Sequence, residues 1–185
     1  MAVPSPSPSS KSALRGEGLR RRRDFARGLT PAARAELEEA LARIVLPHLA
    51  GASMIAAYDP LPDEISPAII AGRRVALPWF AGREAAMGWR EGPASAIGPW
   101  GVAQPADDAA VLVPDVVLVP LVLADRSGGR IGRGKGHYDR ALADLDAVAI
   151  GLAWDIQVSD TALPCDSWDM RLDAIATPTE WIQCG

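Results

Sequence analysis

A glycine-rich, basic segment over residues 128–140 contains the residue types best suited to binding an anion. Five glycines fall within nine residues: Gly128, Gly129, Gly132, Gly134 and Gly136. They are interleaved with Arg130, Arg133 and Lys135. Glycine permits positive φ and lets a ligand approach the main chain closely, while the basic side chains supply charge for an anion. The spacing favours a phosphate-binding loop over the alternative, a flexible connection whose basic residues are only solvated.

This segment matches neither of the two best-known phosphate-binding motifs. Lys135 is followed by Gly136, where a Walker A motif has a Ser or Thr to hold magnesium. His137 stands where the dinucleotide fingerprint, counted from Gly132, needs its third glycine. The prediction of phosphate binding therefore depends on residue types and charge spacing alone.

The neighbouring elements should place this segment between a strand and a helix. Residues 116–124 form an almost unbroken apolar run, with the length and β-branched content of a strand buried on both faces. Beyond the glycines, Leu142 and Leu145 fall at helical spacing, which predicts a helix that begins near Gly136. The amino end of that helix would point unpaired N–H groups at the loop.

Basic residues near the amino end form two groups on a helix predicted over residues 12–26. Lys11 and Arg15 are four residues apart, so they share a helix face and could reach one anion together. Five of the eight residues from 20 to 27 are arginine. This run is either a nucleic-acid patch or a solvated helix face, and the net charge of −4 favours the solvated face.

Acidic residues stand out in two places, and each has two interpretations. Asp63 and Glu64 precede a predicted helix over residues 65–71, where they complement the helix dipole or, for Glu64, bind a ligand. Three carboxylates fall within eight residues near the carboxyl end: Asp166, Asp169 and Asp173. These hold a divalent cation through oxygen ligands or serve turn geometry in an exposed loop. The residues alone do not choose between the alternatives.

The alternation of predicted strands and helices sets the fold class. A second helix begins at Pro31 and ends before Pro47, and the strands follow: residues 52–58, 75–80, 85–90, 116–124, 148–154 and 172–176. The order predicts an α/β sandwich with a largely parallel central sheet and helices on both faces. Ligands bind at the carboxyl ends of strands in such a sheet, which brings together residues 59–64, 125–136 and the segment after 155.

Composition and length predict a soluble, single-domain protein. A disordered leader rich in proline and serine is expected over residues 1–10, followed by one domain over residues 11–185. No apolar run approaches the roughly 20 residues that span a bilayer, and the start lacks a signal-peptide core. The two cysteines, Cys165 and Cys184, form no zinc or disulfide pattern and favour a reducing cytoplasm. Neither a membrane nor a nucleic-acid partner is expected.

Taken together, these pieces resemble the 5-formyltetrahydrofolate cyclo-ligase family, also called 5,10-methenyltetrahydrofolate synthetase. The resemblance covers residues 11–178 and is strongest in the buried strand followed by R-x-G-R-G-x-G-x-Y-D-R at residues 130–140. Its other pieces are K-x-x-L-R at 11–15, the segment 58–64, Leu77-Pro78, residues 87–90, Gly101-Val102 and Gln104-Pro105.

The resemblance implies an enzyme that uses ATP and Mg²⁺ to convert 5-formyltetrahydrofolate into 5,10-methenyltetrahydrofolate, releasing ADP and phosphate. In that family the formyl oxygen attacks the γ-phosphate, and nitrogen 10 of the folate then closes onto the activated carbon. Phosphorylation makes the formyl oxygen a good leaving group, and phosphoryl transfer mainly needs positioning and charge neutralisation. A small-molecule substrate and a monomeric protein are expected.

The resemblance also assigns roles to individual residues. Lys11 and Arg15 are expected on the ATP phosphates, and Arg133 and Lys135 are the expected catalytic residues, which stabilise the transferring charge. Nucleotide contacts are expected along the whole segment: Arg130, Ile131, Gly132, Arg133, Gly134, Lys135, Gly136, His137 and Tyr138.

The same resemblance places the substrate and the metal. Glu64 and Tyr138 are expected to contact the folate, while Asp139 and Asp169 are expected to hold magnesium. The chain departs from the family pattern at four positions: His137, often tyrosine; Gln104, frequently glutamate; and Leu121 and Ala124, usually glycine and phenylalanine. The changes at His137 and Gln104 do not touch the phosphate or metal candidates, so activity is expected.

Overall fold

The computed structural model describes residues 10–185, so the leader predicted over residues 1–10 lies outside the described residues except for Ser10. Within that range the α-helices are α1 (Lys11–Gly28), α2 (Pro31–Val45) and α3 (His137–Ala143). Short 3-10 turns cover Leu46–Leu49, Ala68–Ile70 and Asp155–Gln157. The single domain expected over residues 11–185 stays a prediction.

Twelve short strands are found in the described part of the chain. They are β1 (Ile55–Ala56), β2 (Val75–Trp79), β3 (Gly88–Glu91), β4 (Ala96–Ile97), β5 (Ala103–Gln104), β6 (Val116–Pro120), β7 (Leu123–Asp125), β8 (Arg130–Ile131), β9 (Val148–Leu152), β10 (Val158–Ser159), β11 (Ala174–Ala176) and β12 (Trp181–Gln183). Seven of them form one sheet in the order β12-β11-β9-β6-β1-β2-β3. All pairs from β11 to β2 are parallel, and only the edge strands β12 and β3 pair antiparallel. The predicted α/β class and largely parallel sheet are confirmed.

The sheet is covered on both faces because successive side chains of its strands point to opposite sides. On one face, Leu41 of α2 packs in a cluster with Leu118. On the other face, Val117 and Val119 pack in a cluster with Leu142 of α3. These two apolar layers confirm the prediction of helices on both faces.

The second helix begins at Pro31, as predicted, and α1 begins at Lys11, one residue before its predicted start. The Thr30 hydroxyl accepts a hydrogen bond from the Ala33 N–H at 3.2 Å, and Pro31 occupies the first helical position. Ser10 caps α1 in the same way through the Ala13 N–H. These caps satisfy N–H groups that have no partner inside the helix.

The prediction of a single strand over residues 116–124 is wrong, because this apolar segment is divided between two sheets. β6 ends at Pro120, and β7 belongs to a three-stranded sheet in the order β10-β7-β8. Proline has no N–H to continue a ladder. The next carbonyl, that of Leu121, accepts from Arg22 Nη1 at 2.9 Å and from Gln157 Nε2 at 2.8 Å. Both halves are buried, so hydrophobicity alone gave no sign of the division.

Other predicted elements are shorter than expected. The helix predicted over residues 65–71 is only the 3-10 turn Ala68–Ile70, since a residue before proline, here Ser66, is disfavoured in the α region. The strand predicted over residues 52–58 is reduced to β1, and β12 was not predicted. Residues 91–114, for which no strand was predicted from the sequence, contain the β4–β5 hairpin.

Candidate functional site

A cavity of about 1240 Å³ opens at the carboxyl ends of β1 and β6, where an α/β sheet is expected to bind ligands. Its lining includes every residue to which the family resemblance assigns a role: Lys11, Arg15, Glu64, Arg130, Ile131, Gly132, Arg133, Gly134, Lys135, Gly136, His137, Tyr138, Asp139 and Asp169. Of the other two carboxylates considered as cation ligands, Asp166 lines the cavity and Asp173 does not. These residues come from α1, the segment after β1, the β8–α3 segment and the loop before β11. Residues separated by more than 150 positions in sequence thus share one cavity; their individual roles stay predictions.

The backbone conformation of the glycine-rich loop, defined here as residues 130–138, requires glycine at two positions. Gly134 has a φ of 92° and Gly136 a φ of 63°, both in the region that side chains rarely adopt. Arg15 Nε donates to the Gly132 carbonyl at 2.8 Å. A Cβ on Gly134 would lie 3.1 Å from Arg15 Cζ, so glycine lets the guanidinium pack directly against the loop.

Two basic side chains of the glycine-rich loop are exposed at the cavity and have no counterion within the described part of the chain. Arg133 and Lys135 make no side-chain hydrogen bond or ion pair with any of residues 10–185. They flank Gly134 and both line the cavity. Their charge is therefore available to an anionic ligand.

Lys11, by contrast, is already paired. Its Nζ contacts the Asp166 carboxylate at 2.6 Å and also the Asp169 carboxylate. Burial disfavours the charged form of each group, but the mutual contacts outweigh it, which raises the pKa of Lys11 and lowers the pKa of Asp169. Asp169 also accepts from the Asp166 N–H at 2.6 Å. The ion pairs of Lys11 anchor the start of α1 to the loop before β11.

Arg130 and Asp139 form a second ion pair in the cavity wall. Arg130 Nη2 lies 2.6 Å from Asp139 Oδ1, which also accepts from the Met170 N–H at 3.1 Å. The Arg130 side chain is buried, and its Nε has no hydrogen-bond partner among residues 10–185. Asp139 is thus fixed between the glycine-rich loop and the loop that carries Asp169.

The Glu64 carboxylate is buried at the cavity wall with both oxygens engaged. Oε1 accepts from Arg22 Nη1 at 3.3 Å, and Oε2 accepts from the Leu61 N–H at 3.0 Å. Burial first, and the nearby Glu64 charge second, raise the pKa of Tyr58 and the pKa of Tyr138, so both phenols are neutral. Of these two, Tyr58 donates to the Ile65 carbonyl at 2.7 Å.

The interpretation of residues 20–27 as a solvated face is wrong for Arg22, whose residue is only 1% exposed. Arg22 contacts Asp63 as well as Glu64, with Nε at 3.0 Å from Asp63 Oδ2. Arg20, Arg23 and Arg27 are exposed as expected. Sequence reasoning missed Arg22 because a run of arginines does not reveal which member faces inward.

Three rings form an aromatic wall, defined here as Phe80, Trp100 and His137. Their centroids are 4.6 Å apart for Phe80 and Trp100, 4.8 Å for Phe80 and His137, and 4.7 Å for Trp100 and His137. Burial, followed by the charges of Arg140 and Lys135, lowers the pKa of His137, which favours the neutral ring. Trp100 was missed because it lies in a Gly- and Pro-rich segment, residues 91–114, for which no strand or helix was predicted.

Gln104 supports this aromatic wall from behind. Its Oε1 accepts from the Phe80 N–H at 3.2 Å, and its Nε2 donates to the Phe80 carbonyl at 3.2 Å. The side chain is buried and thereby joins the β4–β5 hairpin to the end of β2. The position of Gln104, flagged only as a departure from the family pattern, is explained by these two bonds.

Trp168 is a further cavity residue that the sequence did not single out. It lines the cavity between Asp166 and Asp169, yet it is 71% exposed. An exposed indole has a flat face available to a ligand.

Over residues 10–185 there is no group of three or more His, Cys, Asp or Glu side chains arranged to hold a metal ion. Among those same residues, no helix has the length and apolar character to cross a membrane.

Comparison with known proteins identifies relatives of this chain. The 5-formyltetrahydrofolate cyclo-ligase family model matches residues 7–178. The 5-formyltetrahydrofolate cyclo-ligase of Escherichia coli is 36% identical over 90 residues, which is 43% of this chain and 49% of that protein. The enzyme of the same name from Mycolicibacterium smegmatis is 37% identical over 86 residues, 45% of this chain and 41% of that protein. The matched segments thus span about half or less of these curated relatives.

Solved structures extend the similarity to nearly the whole chain. The NMR structure of Aquifex aeolicus 5,10-methenyltetrahydrofolate synthetase has a TM-score of 0.78 and 27% identity, covering 94% of this chain and 92% of that chain. The fold is shared with the Mycoplasma pneumoniae 5,10-methenyltetrahydrofolate synthetase, at a TM-score of 0.71 and 23% identity over 92% of this chain and 99% of that chain. Because the family model covers residues 7–178, the chain belongs to the 5-formyltetrahydrofolate cyclo-ligase family.

Proposed function

We propose that this chain catalyses the ATP-dependent and Mg²⁺-dependent cyclisation of 5-formyltetrahydrofolate to 5,10-methenyltetrahydrofolate, with release of ADP and phosphate. The observation that carries the proposal is the glycine-rich loop, which presents two basic side chains, Arg133 and Lys135, to the cavity beside Lys11 and Arg15; neither is paired with another side chain of residues 10–185. Family membership supports the choice of substrate, since relatives are named for this reaction.

The nucleotide occupies the part of the cavity lined by the glycine-rich loop and the start of α1. Main-chain N–H groups near Gly134 and Gly136 bind phosphate oxygens, because positive φ turns successive N–H groups toward an anion. Arg133 and Lys135 neutralise charge on the γ-phosphate as it is transferred. Arg15 holds the loop in place through the Gly132 carbonyl.

The reaction needs no side-chain nucleophile. The formyl oxygen attacks the γ-phosphorus, and the bond from phosphorus to the ADP oxygen breaks. The electron pair of nitrogen 10 then attacks the formyl carbon, nitrogen 10 loses its proton, and phosphate leaves with the former formyl oxygen. The chain contributes positioning of the two substrates and stabilisation of transferred charge, which supply most of the acceleration in phosphoryl transfer.

The folate occupies the part of the cavity between Glu64 and the aromatic wall. The Glu64 carboxylate accepts hydrogen bonds from N–H groups of the pterin, since each of its oxygens has a second lone pair beyond the bonds already made. Tyr138 contacts the same ligand with a neutral hydroxyl. The aromatic wall packs against a flat heterocycle.

The residues present fit a bound magnesium ion. Asp139 and Asp169 present carboxylate oxygens to one cavity, and Mg²⁺ is usually held by one or two carboxylates together with substrate phosphates. When bound, Mg²⁺ supplies positive charge to the phosphate oxygens. In the structure, Arg130 and Lys11 supply the charge that balances these carboxylates.

The proposal includes a monomeric, cytoplasmic enzyme. Every element around the cavity comes from one chain, so a single copy contains all the proposed contacts. Cys165 and Cys184 are both free thiols, which suits a reducing compartment. Nucleic-acid binding through residues 20–27 is disfavoured because Arg22 is buried and paired with acidic residues.

The test mixes purified protein with 5-formyltetrahydrofolate and Mg²⁺, with and without ATP, and follows the near-ultraviolet absorbance of the conjugated methenyl product. An absorbance rise that requires ATP is expected. Lys135→Ala serves as the variant with reduced ATP binding, and Arg23→Ala, which removes an exposed cation outside the cavity, is the matched control. No rise with wild-type protein, while ATP still binds, would overturn the choice of substrate.

A further inference from the structure

Arg22 is the one residue of the arginine run whose side chain is withdrawn from water, and it lies directly behind Glu64. Its guanidinium makes three contacts: Asp63 Oδ2 at 3.0 Å, Glu64 Oε1 at 3.3 Å and the Leu121 carbonyl at 2.9 Å. These partners belong to the segment after β1 and to the junction between β6 and β7. A single side chain of α1 therefore joins three parts of the fold behind the cavity wall.

Stability alone is a weak reason for this arrangement. A buried ion pair loses much of its Coulomb energy to desolvation, and well-packed apolar residues often stabilise a fold equally well. Arg22 Nη2, moreover, has no hydrogen-bond partner among residues 10–185, so the guanidinium is imperfectly satisfied. The arrangement is better explained by what it does to its carboxylate partner.

The contacts fix the position of the Glu64 carboxylate. Arg22 holds Oε1, and the Leu61 N–H holds Oε2 at 3.0 Å, so the plane of the carboxylate cannot rotate without breaking one of the two bonds. Arg22 is also the ion-pair partner of Glu64 within the described part of the chain. Glu64 lines the cavity, whereas Arg22 does not.

We propose that Arg22 is a positioning residue for folate recognition: it orients the Glu64 carboxylate toward the cavity so that the carboxylate receives the N–H groups of the substrate heterocycle. This inference rests on the proposed function, because Glu64 is the residue proposed to contact the folate. Of the three groups that Arg22 contacts, only Glu64 is a proposed ligand contact, and none belongs to the nucleotide region, so removal of Arg22 weakens folate binding and leaves ATP binding intact.

The experiment is a double-mutant cycle on ligand affinity. Titration calorimetry measures binding of 5-formyltetrahydrofolate, and separately of ATP with Mg²⁺, to wild type, Arg22→Met, Glu64→Gln and the double variant. Arg22→Met is expected to weaken folate binding about tenfold, in the range of coupling between contacting groups, with ATP affinity changed less than about twofold. In the Glu64→Gln background, Arg22→Met is expected to have no further effect on folate affinity.

Two comparisons separate positioning from a general structural role. Arg23→Met, on the exposed side of the same helix, should leave both affinities unchanged. Arg22→Lys retains the charge and should recover part of the folate affinity lost in Arg22→Met. If Arg22→Met fails to fold, the double variant, which removes both charges, still gives the comparison with Glu64→Gln.

The outcomes decide between the two inferences. An equal loss of folate affinity in both backgrounds, or a parallel loss of ATP affinity, would overturn the role of Arg22 and leave the proposed function standing. If wild-type protein binds ATP but no 5-formyltetrahydrofolate, the proposed function fails and the role of Arg22 fails with it.

Discussion

Replacing Gln104 by glutamate tests how the aromatic wall is held. The native amide uses both of its polar atoms on Phe80, accepting from its N–H and donating to its carbonyl, each at 3.2 Å. An ionised glutamate retains the first bond but places a second acceptor against the Phe80 carbonyl. A protonated glutamate has nearly the shape of glutamine and restores both bonds, since its O–H is a donor.

The loss of stability can be estimated from the cost of keeping the variant carboxyl protonated. Gln104 is 6% exposed, so the variant carboxylate would be poorly hydrated. Keeping a proton on a carboxyl whose ordinary pKa is about 4.3 costs about 3.7 kcal/mol at pH 7, at about 1.36 kcal/mol per pH unit. The folded variant can always keep its glutamate protonated at this cost, so the cost is an upper limit on the loss of stability. We therefore expect Gln104→Glu to lower the free energy of unfolding by about 2–4 kcal/mol at pH 7.

The sign of the pH dependence is opposite to that of a paired carboxylate. The folded state raises the pKa of this glutamate, so the variant is as stable as wild type below the unfolded pKa and loses stability as pH rises. Urea unfolding between pH 5.5 and 8 should show the difference from wild type growing by about 1.4 kcal/mol per pH unit until the carboxyl ionises. Gln104→Met, which has no charge to titrate, is the control, and a difference for Gln104→Glu that does not change with pH would refute the reasoning.

Three further changes give sharp expectations. Lys135→Ala should weaken ATP binding at least tenfold with folate affinity retained, as measured by calorimetry, and unchanged ATP affinity would remove Lys135 from the phosphate site. Asp139→Asn should raise the Mg²⁺ concentration needed for half-maximal activity by roughly tenfold, and an unaltered Mg²⁺ dependence would contradict the metal assignment. Burial would raise the pKa of Asp125, but its bonds from Ser127, Gly129 and Leu163 outweigh burial and lower the pKa. Asp125→Asn should therefore lose about 1–3 kcal/mol of stability in urea unfolding above pH 5, because the Leu163 N–H loses its acceptor. The difference from wild type should shrink as pH falls below about 4, where the wild-type carboxylate becomes protonated. A difference that does not change with pH would refute the role of the carboxylate.

Much of the fold could be predicted because its signals are local. The Thr30 cap and Pro31 set the start of α2 within a few residues of sequence. The alternation of strands and helices likewise predicted the parallel sheet. The division of the apolar run at Pro120 could not be predicted in this way, because it depends on Arg22 and Gln157, which reach the Leu121 carbonyl from other elements.

The cavity residues show the same difference between local and distant signals. Arg133 and Lys135 stand two residues apart around Gly134, so their shared place in the cavity could be predicted from the sequence. The pairing of Lys11 with Asp169 joins positions 158 residues apart, and no local pattern encodes it. Trp100 escaped notice for a related reason, since one ring in a Gly- and Pro-rich segment has no periodicity to follow. Resemblance to a family supplied the cavity residues that spacing could not.

The basic residues of the cavity differ in how much of their positive charge is available to an anion. Lys11 and Arg130 are bonded to the two carboxylates predicted for magnesium, so much of their charge is balanced within the protein. Arg133 and Lys135 have no such partner in residues 10–185, and Gly134 between them adopts a conformation that only glycine tolerates well. Binding of an anion should therefore depend more on Arg133 and Lys135 than on Lys11 and Arg130. The spacing Arg133-Gly134-Lys135 is informative because it marks the two cavity cations whose charge is not balanced by a carboxylate within residues 10–185.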